Sequence, residues 1–236
     1  MLNDIISALL SLAIALVVAF PLGKLLKKRP VPFYVGALVL VAAHLTYKYT
    51  GTYIAGAQIF IDIMQKAYLG VFLLAIVMFI GTLDESSALR RRLQPIRAEL
   101  SILSFLLIVS HVAAFLPNYL PRLGAIFSSH IGMSVSIIMA VLLTVVFALL
   151  SVLSLRVFRM HMPFRVWKGI QRLSYVIVAL LLLHIVLALG RPAFAGHGST
   201  SALVSLIVYA IVVAIYAVAR IAKAIRDHKA RAAAVE

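Results

Sequence analysis

Long apolar runs separated by short basic segments make up most of the chain. A hydrocarbon core about 30 Å thick is crossed by roughly 20 apolar residues of α-helix. Seven segments meet that length: 4–25, 31–50, 61–83, 99–118, 131–155, 169–190 and 202–224. No strand pattern is apparent between them. The reading is an all-α fold, a polytopic membrane bundle of seven transmembrane helices. Pro21 falls near the end of the first segment, where a kink is tolerable. The first segment is too long for a signal-peptide core and no small-residue cleavage site stands out, so it is expected to remain as a helix. The tail RIAKAIRDHKARAAAVE reads as a helix running out of the membrane into a polar end. There is no convincing internal repeat and no low-complexity linker.

Composition agrees with the pattern. The chain is 64% hydrophobic and 12% charged, with a mean hydropathy of +1.11, whereas soluble domains are nearer half apolar and a quarter charged. Spans and short loops take up nearly all of the 236 residues. That leaves no room for a separate soluble catalytic domain of usual size, and no glycine-rich nucleotide fingerprint follows a strand. The absence of cysteine excludes disulfides, iron–sulfur clusters, thiol chemistry and covalent c-type heme attachment.

The net charge of +15 would ordinarily raise nucleic acid as a partner. Its distribution argues for topology instead. The loops at 24–29, 90–97, 156–172 and 220–231 alternate with the other set and hold 18 of the 22 basic residues. The opposite side has only Lys48, Lys66, Arg122 and Arg191. Lys and Arg accumulate in cytoplasmic loops and contact anionic lipid there. The expectation is a cell-membrane protein with its N-terminus outside and its C-terminus cytoplasmic, and no nucleic-acid partner.

Of the seven histidines, His161 and His228 fall in cytoplasmic polar segments, and His130 and His197 in the outer loops or helix ends. His44, His111 and His184 lie within spans. At 1.5 Å per residue, all three sit roughly 20 Å from the cytoplasmic or entry end of their helices, at about one level in the outer half. A single intramembrane histidine is simply explained by a hydrogen bond to a neighbouring helix. Two at matched depth, on helices running in the same direction with one helix between them, can hold a flat macrocycle from both sides. His111 and His184 therefore stand as candidate axial ligands of heme iron, a bis-histidine b-type site. The acids Asp4, Asp62, Asp84, Glu85, Glu99, Asp227 and Glu236 all avoid mid-membrane. This weakens a proton-coupled transporter reading and leaves no carboxylate at that depth to complete another metal site.

Several stretches carry a family resemblance. KAYLGVFLLAIVMFIGT is similar to a glycine-started first core helix. ALRRRLQPIRAELSILSFLLIVSHVA resembles an arginine-rich loop leading into a helix with a ligand histidine. HIGMSVSIIMAVLLTVVFALLSVLSL resembles the next helix. WKGIQRLSYVIVALLLLHIV carries the spacing of Trp167, Arg172, Leu173, Tyr175 and His184. Together they resemble the ferric-reductase-like transmembrane family, which includes the heme-binding membrane subunit of the bacterial methionine sulfoxide reductase system (MsrQ), the membrane parts of NADPH oxidases and metalloreductases. The resemblance covers roughly residues 32 to 224. It implies a heme-binding transmembrane domain over 31–236, preceded by an additional N-terminal helix over 1–30.

The resemblance also implies what differs. Gln171 stands where the family usually has the first histidine of that helix, thirteen residues before the second. The corresponding upstream positions, Arg97 and Ala98, offer no imidazole. The expectation is one heme on His111 and His184, with a second left open. His44 could ligate a second heme with His130, bond a heme propionate, or bond a neighbouring helix. Arg172 and the run Arg90 to Arg92 could contact a propionate, a quinone or a flavin phosphate, or simply obey the charge rule. Trp167 and Tyr175 read best as interface anchors, as do Tyr47, Tyr49 and Tyr53 at the outer rim.

The expected function is that of a b-type heme cytochrome moving electrons across or out of the membrane. With no nucleotide-binding domain, electrons enter from the quinol pool or a separate cytoplasmic-side reductase, through a bound quinone or FMN if one bridges the gap. They leave to an extracytoplasmic redox protein. The competing readings are a transporter that uses the histidines for substrate, and an anchor subunit that uses them for helix packing.

Overall fold

The computed structural model describes residues 1–51, 56–195 and 198–233. Tyr53 and His197 lie outside the described residues. Among the described residues there are helices and no strand. In chain order the helices are α1 (Leu2–Ala19), α2 (Gly23–Lys28), α3 (Pro30–Thr50), α4 (Gln58–Gln65), α5 (Tyr68–Ile80), α6 (Ala88–Leu93), α7 (Arg97–Tyr119), α8 (Leu123–Ser129), α9 (Ile131–Ser154), α10 (Arg156–Met160), α11 (Phe164–Gln171), α12 (Ser174–Phe194) and α13 (Thr200–Ala232). Six helical stretches are long and apolar enough to cross a membrane, and the bent pair α4–α5 makes a seventh if it counts as one span. The most apolar 18-residue windows of α3 and of α11–α12 are each only 11% buried inside the bundle. Side chains such as Val35, Leu38, Val39, Leu183 and Val186 face outward. Apolar surface on that scale requires lipid as its solvent. The chain is a multi-span membrane protein.

Three of the expected spans are interrupted. The first stops at Ala19 and resumes as α2, because Pro21 has no N–H to donate and its ring clashes with the preceding turn. The third starts earlier than expected, at Gln58, and bends by 48° between α4 and α5. Ala67, at the bend, has φ of 56°, a left-handed backbone that a non-glycine residue adopts only when its surroundings impose it. Those surroundings are specific. The Lys66 ammonium donates to Asp4 of α1 and lies 3.6 Å from Asp62, while the Tyr209 hydroxyl of α13 donates to the Lys66 carbonyl. The sixth span is preceded by α11 and a break at Arg172–Leu173. The last runs straight into the tail, as α13.

Packing places α7 at the centre. It lies against α3, α5 and α9, while α9 also packs along α12, and α12 along α13. The α5–α7 approach is close because Gly70 has no side chain. The Ser104 hydroxyl donates to the Gly70 carbonyl over 2.6 Å, and a Cβ on Gly70 would stand 2.6 Å from the Ile108 side chain. Small residues at helix crossings replace the hydrophobic drive that lipid cannot supply. One apolar core joins α1, α5 and α7 around Ala15, Tyr68, Leu73, Ile80 and Leu100. A second joins α5, α9, α12 and α13 around Leu74, Phe147, Ile177 and Tyr216.

Candidate functional site

A cavity of about 670 Å³ lies among α5, α7, α9, α12 and α13. Its size falls in the range of about 300–1,000 Å³ found for cofactor and ligand pockets. Its inner part is apolar: Val71, Leu74, Phe105, Ile108, Leu143, Phe147 and Leu181 line it. Helical periodicity explains why each helix gives the cavity one face. On α9 the lining residues Ala140, Leu143, Thr144 and Phe147 recur at spacings of three and four. The opposite end is polar, with Asp4, Asp62, Lys66 and Ser201.

His111 of α7 and His184 of α12 both line this cavity. Each ring is tethered at Nδ1. His111 Nδ1 bonds the Gln65 carbonyl, and His184 Nδ1 lies 3.0 Å from the Ser136 carbonyl. A carbonyl only accepts, so both Nδ1 atoms carry the proton and both Nε2 atoms keep a lone pair. This is the tautomer that a metal-ligating histidine needs, with its other nitrogen held by a backbone oxygen. The Gln65 carbonyl is free to accept because it belongs to the last turn of α4, where the helix break leaves carbonyls without an i+4 donor. The Ser136 hydroxyl sits 3.0 Å from His184 Nδ1 and donates to the His184 carbonyl over 3.3 Å. Phe115, one turn beyond His111, sets its ring 4.9 Å from the imidazole centroid, tilted by 53°.

The other candidates lie elsewhere. His44 is completely buried; its Nδ1 is 2.7 Å from the Ser110 hydroxyl and its ring meets Phe60 edge-on. It does not line the two-histidine cavity. His130 is exposed at the start of α9 and lines a separate cavity, so His44 and His130 are not brought together. Arg172 is exposed after α11 and does not line the two-histidine cavity. The run Arg90 to Arg92 bonds backbone carbonyls: Arg90 donates to the Leu83 carbonyl over 2.9 Å, Arg91 to the Ser86 carbonyl, and Arg92 to the Phe20 carbonyl after α1 over 3.1 Å. Tyr175 lies under the Arg220 guanidinium, 4.9 Å from it, and the Tyr49 hydroxyl donates to the Ala113 carbonyl.

At the end of the bundle that carries most of the basic loops, Arg97, Ala98, Trp167 and Gln171 line a gap of only about 50 Å³. That holds one or two waters, each occupying about 30 Å³ in the liquid, and not a macrocycle. The residues that replace imidazoles in the sequence therefore also fill the space.

Sequence reasoning missed the tethers. Ser136 sits within an apolar run, and nothing in its spacing marks its carbonyl as an acceptor. The pair Gln65–Lys66 inside the third apolar segment was the available signal of a broken helix.

Among the described residues, no group of three His, Cys, Asp or Glu could hold a metal ion. Two imidazoles match the pair of protein ligands that a planar macrocycle leaves to be filled. Fold and cavity thus define a polytopic membrane helical bundle with a cofactor-sized cavity lined by two tautomerically fixed histidines. Residues 66–182 match the model of the family described as "Ferric reductase like transmembrane component", the family that the sequence motifs resemble. The matched stretch includes His111 and ends just before His184. Over 226 residues, 94% of its length, the chain is 28% identical to a protein of Treponema pallidum (strain Nichols) described as an uncharacterized protein. The chain spans 62% of that relative's length. No solved structure matches the chain.

Proposed function

We propose that this protein is a membrane electron-transfer subunit that binds one b-type heme between His111 and His184. The observation that carries the reading is the pair of imidazoles on one apolar cavity, each with Nδ1 donating to a backbone carbonyl. The residues fit the group: two neutral nitrogen donors, an apolar volume of suitable size and a polar end. Bound there, heme supplies reversible one-electron exchange at iron. The chain's own residues do the rest. Gln65 and Ser136 hold the rings in one tautomer and one orientation, which raises their basicity as ligands. Phe105, Ile108, Leu143, Phe147 and Leu181 exclude water, which lowers the local dielectric and suppresses side reactions. The family match supports electron transfer at the membrane as the class of activity.

The donor in this reading is the quinol pool or a separate cytoplasmic-side reductase, and the acceptor is an extracytoplasmic redox protein. The filled cytoplasmic gap supports one heme over two, and a quinone or flavin is then the carrier on that side. We assign the membrane as the cell membrane, with the N-terminus outside, on the charge asymmetry of the loops. The helix α1 is an addition to the core that runs from residue 31.

The test is a reduced-minus-oxidised absorbance spectrum of the protein purified from heme-replete cells. The wild type is expected to show a b-type band. His111→Ala and His184→Ala are each expected to lose it, and His161→Ala to keep it. Full heme content in both core variants would overturn the ligand assignment.

A further inference from the structure

The outer side, as the charge asymmetry assigns it, carries few cations. Lys66 is satisfied there by Asp4 and Asp62. Arg122, in the turn after α7, and Arg191, in the last turn of α12, are far apart in sequence. They nevertheless line one cavity, of about 920 Å³. Among the described residues its lining contains no carboxylate, and the two acids on this side both face Lys66. His130, Asn118 and Tyr119 add hydrogen-bonding groups, and the remaining wall is largely apolar, with Phe115 and Leu187. Both guanidiniums are exposed, stand beside apolar surface and, among the described residues, have no protein counter-ion, so they are open to an anion from outside. Their planar fork matches the oxygens of a phosphate or carboxylate. They also stand on the side where Lys and Arg are otherwise depleted, so topology does not account for them.

We propose that this cavity binds an organic anion: a phosphate or carboxylate group clamped by Arg122 and Arg191, on an apolar body that lies against Phe115 and Leu187. Phe115 also lines the two-histidine cavity. Ala188, one turn beyond His184, lines the anion cavity as well. The apolar wall of the anion cavity thus begins about one helical turn beyond the imidazoles, and Arg191 stands about two turns, roughly 10 Å along the axis, beyond His184. The same chemistry is offered by an anionic lipid of the outer leaflet and by a water-soluble amphiphilic anion. Binding is read directly and does not rest on the heme assignment.

The test uses the full chain in neutral detergent, with two probes measured by calorimetry: phosphatidylglycerol in mixed micelles, against phosphatidylcholine, and hexyl phosphate, against hexanol. Either anionic probe is expected to bind more tightly than its control, and more weakly as salt rises. Tightening by phosphatidylglycerol alone assigns the site to lipid, and tightening by hexyl phosphate assigns it to a soluble anion. Arg122→Gln with Arg191→Gln should weaken the anionic probe by about tenfold or more, the scale of losing charge-assisted hydrogen bonds. Arg122→Lys should fall between wild type and Arg122→Gln, and Arg172→Gln should match wild type. No preference for either anion over its control, or equal affinity in the double variant, would sink the proposal.

Discussion

At His184, one backbone carbonyl decides what the side chain can do. With Nδ1–H committed to the Ser136 carbonyl, the ring can only accept at Nε2, and that nitrogen is the one left for the cavity. The Gln65 carbonyl does the same for His111. His44 differs in kind. It is fully enclosed and tied to Ser110 on α7, the residue next to His111, so its role in this reading is to hold α3 against α7. His44→Ala is expected to keep the heme band and to lower the melting temperature in detergent. The loss should be about 1–3 kcal/mol for leaving the Ser110 hydroxyl without its buried partner. Loss of the band with an unchanged melting temperature would instead make His44 part of the cofactor site. The matched depth of His111 and His184 was legible from residue counting along each span. The tethers were not, because a backbone carbonyl has no sequence signature and becomes an acceptor only where a neighbouring helix arrives.

Among elements, the α5–α7 crossing controls where His111 stands. Gly70 allows the two backbones to approach, and Ser104 fixes the register with its bond to the Gly70 carbonyl. Gly70→Val places branched carbons where Ile108 and the Ser104 carbonyl already stand. It is expected to push α7 away and to lower heme content severalfold, although it touches neither imidazole. Heme content per folded protein, by pyridine hemochrome on the monodisperse fraction, checks this; unchanged content would show that α7 is held by other contacts. The bend between α4 and α5 belongs to the same scale. An apolar run of this length predicts a straight span, and within 61–83 only the polar pair Gln65–Lys66 marks where the 48° turn falls. The turn depends on Asp4 and Tyr209, which approach Lys66 from α1 and α13. Partners so distant in sequence cannot be seen from the segment itself.

For the whole molecule, the expectation is one heme per chain. The two-histidine cavity is roomy, while the gap lined by Arg97, Ala98, Trp167 and Gln171 is about 50 Å³. Iron and heme quantified against protein should give a ratio near one, and a ratio near two would require a second site that these side chains do not offer. The substitution at Gln171 was readable in the sequence as a missing imidazole. That the site is also closed was not, since volume depends on how α7, α9 and α11 pack.

The membrane character, the number of spans to within the bent pair and the candidate imidazoles followed from the sequence alone. Each depends on local quantities: apolar length against bilayer thickness, charge counted loop by loop, and depth counted at a fixed rise per residue. What required the tertiary structure was every property shared between helices. These were the common cavity of His111 and His184, the carbonyls that fix their tautomers, the isolation of His44 from His130, and the cavity that Arg122 and Arg191 share. Lipid-facing and partner-facing positions are equally apolar in a membrane span, so the hydrophobic pattern does not say which face of a helix meets which neighbour. Only packing settles that.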